Sequence, residues 1–131
     1  MRHASPSLLP LALIAVGLQG ADAFAQAGNP HNGTWKVQFD ATNRVQVQGT
    51  VDVKDDGGAW RTVSSASRDP CVGREAPIVV RTATPEKLVF RVIRSKVLAG
   101  CPDFSVTMNR VDDNNLQGAM GNGWKVQMTR Q

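Results

Sequence analysis

From Arg44 to Lys54 the chain alternates apolar and polar residues. Val45, Val47, Val51 and Val53 share one parity, Gly49 takes the remaining slot, and Gln, Thr and Asp fall between them. A period of two sends successive side chains to opposite faces, so this segment predicts a strand with one wet and one buried face. A glycine in the buried row marks a bulge or a bend. Trp35, Val37 and Phe39 share a face of 34–40. Phe104, Val106 and Met108 do so in 104–111, and Trp124, Val126 and Met128 in 124–130. Segments 77–83 and 87–97 are apolar on both faces and read as central strands or strands with a change of register. Shorter runs at 59–64 and 115–120 bring the expected strands to eight.

The breaks carry turn chemistry. Asp55-Asp56-Gly57-Gly58 is a tight hairpin signal. Asp112-Asp113-Asn114-Asn115 and Gly121-Asn122-Gly123 supply residues that tolerate positive φ. Thr84-Pro85-Glu86 is a proline-initiated turn. After residue 27 no helix-period stretch exceeds two turns. The pattern predicts an all-β domain: a small antiparallel up-and-down barrel or sandwich of about eight strands with one disulfide.

Residues 1–27 read as a secretory signal peptide. Arg2 and His3 precede an apolar run over Leu8–Leu18, and Ala23-Phe24-Ala25 and Ala25-Gln26-Ala27 are small-x-small cleavage sites. The apolar run is too short to span a bilayer. The expectation is therefore a single exported β-domain over 28–131, periplasmic or secreted, with no membrane span in the mature chain. In an oxidising compartment the isolated pair Cys71 and Cys101 reads as a disulfide. It closes a loop of about 30 residues, worth about 3–4 kcal/mol on the chain-entropy model. A domain this small has a modest core, so such a cross-link matters.

The formal charge is +4, and cleavage leaves it unchanged because Arg2 and Asp22 depart together. A basic exported protein favours anionic partners, or simply stays soluble. Tyrosine is absent, which argues against a stacking surface for sugars or bases, and no nucleic-acid partner is expected.

One internal echo bears on architecture. Gly33-Thr34-Trp35-Lys36-Val37-Gln38 returns as Asn122-Gly123-Trp124-Lys125-Val126-Gln127, with Gly58-Ala59-Trp60-Arg61 a looser third copy. A Trp after Gly at a strand start can fold over the end of a core. The first and last copies become neighbours if the sheet closes on itself. In a simple meander the connections alternate between two ends. The loops 65–76 and 98–103, holding the two cysteines, then emerge together, with the connections near Thr42 and Asn122.

Residues suited to chemistry are few. His31, the one histidine beyond the signal segment, sits in a polar lead and reads as a solvated terminal residue, without the nucleophile or orienting group a catalytic base needs. Asp55-Asp56 and the Asp112–Asn115 cluster lack the alternating ligands of a calcium loop. No cofactor and no metal is expected, and the chain reads as non-catalytic. Arg81 and Arg91 fall on the outer parity. Arg94 falls in line with Leu88, Phe90 and Val92, so it either flips outward or enters the interior near the disulfide. An inward Arg needs a partner, for which Asp103 and Glu75 are candidates, and such a site suits an anion. The irregular stretch 67–77 is charged, flanked by Pro70 and Pro77 and pinned by Cys71, and stapled loops on a β scaffold are natural recognition surfaces.

Gly33-Thr34-Trp35 near the start of a small exported barrel resembles the calycin group, including lipocalin-like and avidin-like proteins. It is also similar to small periplasmic barrel inhibitors of secreted proteases and lysozymes. The resemblance covers those three residues and the general layout, and no binding residue is carried over from it.

Two functions follow as expectations. The first is a binding or inhibitor-like module that recognises an unknown protein outside the cytoplasm through the disulfide-bearing end, with Arg68, Asp69, Arg74, Glu75 and Asp103 as contact residues. The second is a carrier of a small hydrophobic ligand inside the barrel, held by Trp35, Phe39, Phe90, Phe104, Trp124 and Arg94. The carrier reading requires that side chains leave the barrel partly unfilled.

Overall fold

In the computed structural model the described residues are 28–41, 45–63 and 69–131. The expected signal peptide over 1–27, together with Thr42, Arg44 and Arg68, lies outside them. Eight antiparallel strands follow one another: β1 (Gly33–Asp40), β2 (Gln46–Lys54), β3 (Gly57–Val63), β4 (Ala76–Thr84), β5 (Lys87–Val92), β6 (Phe104–Asp112), β7 (Asn115–Met120) and β8 (Lys125–Arg130). Each pairs with the next, and β1 pairs with β8, closing the sheet into an up-and-down barrel rather than a sandwich. Among the described residues no helix is long and apolar enough to cross a membrane.

Alternation explains most of the packing. Trp35, Val37 and Phe39 point inward from β1, and Val47, Val51 and Val53 from β2. Gly49 marks a bend without a bulge, since the β1–β2 and β2–β3 registers run through it unbroken. A Cβ there would lie 2.1 Å from the Arg61 carbonyl oxygen. A glycine in an inward row lets the strand curl against its neighbour, which a small closed barrel requires. The apolar residues on both parities of 77–83 reflect a register shift between Val80 and Thr82: Val80 faces Phe90 before it and Ala83 faces Leu88 after it, while Arg81 stays exposed. The second apolar run is shorter than expected. β5 ends at Val92, and a single 3₁₀ turn spans Arg94–Lys96.

The two ends differ. The end bearing the chain entry and the 54–57 hairpin is closed. Trp35, Leu88, Met108, Leu116 and Met128 fill its interior and are fully buried. His31 plugs it: far from solvated, it is 3% exposed. Its Nε2 donates to the Thr84 carbonyl at 2.6 Å, and its own carbonyl accepts from the Trp35 indole N–H at 2.8 Å. Asn32 clamps this lead to the hairpin, donating through Nδ2 to the Asp55 carboxylate and accepting from the Asp55 N–H. Arg130 covers the outside, its guanidinium 4.3 Å from the Trp35 ring centroid. The opposite end carries the Cys71–Cys101 disulfide, and there the barrel is hollow.

Candidate functional site: a cup at the disulfide end

Within the upper barrel lies a cavity of about 820 Å³. Its wall is largely aromatic and aliphatic, built from Phe39, Val47, Trp60, Phe104, Met120 and Trp124. Local sequence positions each of these. Trp60 is an inward residue of β3, paired across from Val51 and Ala76. Trp124 precedes β8 in a turn set by Asn122-Gly123. Gly123 adopts φ +90°, Asn122 Oδ1 accepts the Trp124 N–H at 3.0 Å, and the Met120 N–H donates to the Trp124 carbonyl at 2.9 Å. The rings form a connected set. Phe39 stacks between Trp60 and Trp124 at 6.3 and 6.0 Å, and Trp60 meets Phe104 edge-on at 5.5 Å. Such offset and edge contacts hold the rings as a preformed surface.

The mouth is polar. The sequence Asp69-Pro70-Cys71 makes a tight turn in which Asp69 Oδ1 accepts the Cys71 N–H at 2.9 Å and the Asp69 carbonyl accepts the Val72 N–H at 3.1 Å. Across the disulfide, Asp103 accepts the Ser95 N–H at 2.9 Å and the Ser95 hydroxyl at 3.0 Å, pinning the 3₁₀ turn. The Ser95 backbone N–H, with the Ser95 hydroxyl and the nearby Arg91 charge, holds the Asp103 carboxyl below the usual carboxylate range. The turn points Arg94 into the barrel mouth. Its guanidinium lies 5.5 Å from the Phe104 ring centroid, and its side chain is only 17% exposed.

The residues expected to act divide into four groups. Asp69, Asp103, Arg94, Phe39, Phe104 and Trp124 border the cavity. Arg74 and Glu75 are exposed and stand outside it, and Arg68 falls outside the described residues. Trp35 and Phe90, expected to face a ligand, do not. Antiparallel closure puts Trp35 at the plugged end, and Phe90 is fully buried against Trp60. Arg94 turns inward, but its partner is neither Asp103 nor Glu75. Asp103 is committed to Ser95, and the carboxylate near Arg94 Nη2 is that of Asp69, at 3.8 Å. Trp60, Val47, Thr62, Val72, Met120 and Arg91 also border the cavity. Trp60 carried a signal, as the third Gly-x-Trp copy. Arg91 carried none: it lies on the outer parity, yet reaches the lip near the Ser105 hydroxyl, 3.5 Å away.

The Asp112–Asn115 segment is a turn. Asp112 accepts from the Asn114 N–H and the Asn115 side-chain amide, and Arg110 pairs with Asp113 at 2.7 Å. Among the described residues no group of three His, Cys, Asp or Glu side chains is placed to hold a metal ion. Compared with known proteins, the chain matches no family model, no curated protein and no solved structure. The disulfide is compatible with an extracellular protein.

Proposed function

We propose that this protein is an exported carrier that binds a small, ring-bearing apolar ligand in the cup at the disulfide end, in the periplasm or outside the cell. The cavity carries the reading. Its volume falls within the range of about 300–1,000 Å³ typical of small-molecule sites, and an apolar wall with a few polar groups at one end is the usual composition of such sites. The lower barrel is filled by its own side chains, so the site is a half-barrel cup rather than a through-channel.

The test is a fluorescence titration with the neutral probe N-phenyl-1-naphthylamine. Saturable one-to-one binding with a change in tryptophan emission is expected, because Trp60 and Trp124 line the wall. Ala41→Trp, which places a large ring at a cavity-lining position outside the strands, is expected to abolish binding while the circular dichroism spectrum stays that of the parent. Absence of saturable binding by the parent protein would refute the carrier reading.

A second reading, recognition of a protein by the rim, is favoured by the exposure of Arg74 and Glu75 on a loop stapled by Cys71. It predicts that Arg74→Ala and Glu75→Ala together release a co-purifying protein without altering probe binding.

A further inference from the structure

We infer that Arg94 is an anion anchor, so that the ligand of the cup is an amphipathic small molecule with one carboxylate-like head at the mouth and an aromatic or apolar body below. This inference rests on the carrier reading and names the ligand's head group.

Placing Arg94 at the barrel mouth carries a cost. A guanidinium withdrawn from water needs acceptors for its N–H groups and a nearby negative charge. Arg94 has little of either. Asp69 Oδ2 stands 3.8 Å from Nη2, beyond hydrogen-bond range, while the other oxygen of that carboxylate accepts the Cys71 N–H. The Arg94 Nε is buried and has no hydrogen-bond partner. The face of Phe104 supports the guanidinium plane, which orients it but accepts none of its in-plane donors.

The same barrel shows how it treats an arginine that is purely structural. Arg130 also lies over an aromatic ring, yet its Nε, Nη1 and Nη2 donate to the carbonyls of Asp113, Asn32 and Pro30 at 3.1, 2.6 and 3.4 Å. Among the described residues Arg94 has no such backbone cradle, and it borders the hollow end of the barrel. A planar fork whose Nε–H has no acceptor among the described residues, beside an apolar cup, matches a carboxylate or sulfonate, which accepts two parallel N–H bonds. Asp103, the other acid of the lip, is spent on Ser95, so Asp69 is the one competing carboxylate in the geometry. An incoming anion would take over Asp69's place opposite Arg94.

The decisive experiment compares two probes with the same anilinonaphthalene skeleton. 8-Anilinonaphthalene-1-sulfonate carries an anionic head, and N-phenyl-1-naphthylamine has none. Each is titrated into the disulfide-intact protein, with mutual displacement to show a shared site. The parent protein is expected to bind the sulfonate about tenfold or more tightly than the neutral probe. Arg94→Met is expected to erase that preference while the neutral probe's affinity stays within about threefold, and Arg94→Lys to restore part of it. Asp69→Asn is expected to tighten sulfonate binding. Equal affinity of the parent for the two probes, a comparison that needs no variant to fold, would overturn the anchor and leave the carrier reading standing. Undiminished sulfonate preference in Arg94→Met would do the same. Failure of both probes to bind would remove both.

Discussion

The two ends of this barrel are built from similar parts and finished differently. One end has Trp35 under Arg130, and the other has Trp124 and Phe104 near Arg94. At the closed end every part is tied. The indole N–H reaches the His31 carbonyl, the histidine reaches Thr84, and Arg130 donates to three backbone carbonyls. At the open end the rings line a cavity and the arginine keeps a buried N–H without an acceptor among the described residues. The lesson is that an aromatic–arginine pair is a lid when the backbone around it supplies acceptors, and is proposed here as a receptor when it does not.

Removing the tryptophans should separate the two ends most sharply. Trp35→Ala empties a fully buried position and should cost about 3–5 kcal/mol in urea unfolding. Trp124→Ala, at a half-buried position on the cavity wall, should cost about 1–2 kcal/mol and instead weaken probe binding. Equal losses would erase the distinction. Next in size is the disulfide. Replacing Cys71 and Cys101 by Ala should cost about 2–4 kcal/mol. Hydrogen exchange should then speed up over 69–75 and 94–103 and not over 29–35, because the bridge joins only the loops of the mouth. His31→Ala should cost about 1–3 kcal/mol by leaving the Thr84 carbonyl unpaired, with probe affinity unchanged. A fall in probe affinity would mean that the plug and the cup are coupled.

The smallest expected effect is on pH dependence. The Ser95 N–H holds Asp103 below its ordinary carboxylate range at the open end, and the Asn114 N–H does so for Asp112 at the closed end. A depressed carboxyl pKa contributes stability that is present above the unfolded value, 3.8, and lost as pH falls through the folded one. Acid unfolding should therefore be shallower in Asp103→Asn, with the residual slope reduced further in Asp112→Asn. Asp112 is exposed and Asp103 only partly covered, so the effects are small. Probe binding should change with acid only through the Asp103 end.

Much of the architecture was legible in the chain. Period-two alternation identified eight strands, and the meander put both cysteine loops at one end, where they are bonded. The Gly-Trp echo made β1 and β8 neighbours only if the sheet closed on itself, and it does, as Val37↔Met128 and Phe39↔Val126 show. The candidate site was legible only in part. Phe39, Phe104 and Trp124 have the right parity and the right end. Trp35 has the parity but starts its strand at the other end, and Phe90 lies deeper, behind Trp60. Parity reports which face a side chain occupies and carries no information on depth. Polar detail was less legible still. His31 sits in a segment that looks solvated, and it is buried because it packs onto strands distant in sequence. Arg94 follows its row inward, but its neighbour Asp69 comes from the far side of the disulfide.

By itself, then, the sequence determined the strands and the cross-link, because alternation and turn chemistry are local rules, while closure into a barrel rather than a sandwich was left to tertiary structure. Tertiary structure decided which end is full and which is hollow, and which of two arginines is satisfied. Those outcomes depend on how side chains from all eight strands share one interior volume, and on which backbone carbonyls closure brings within reach of a guanidinium.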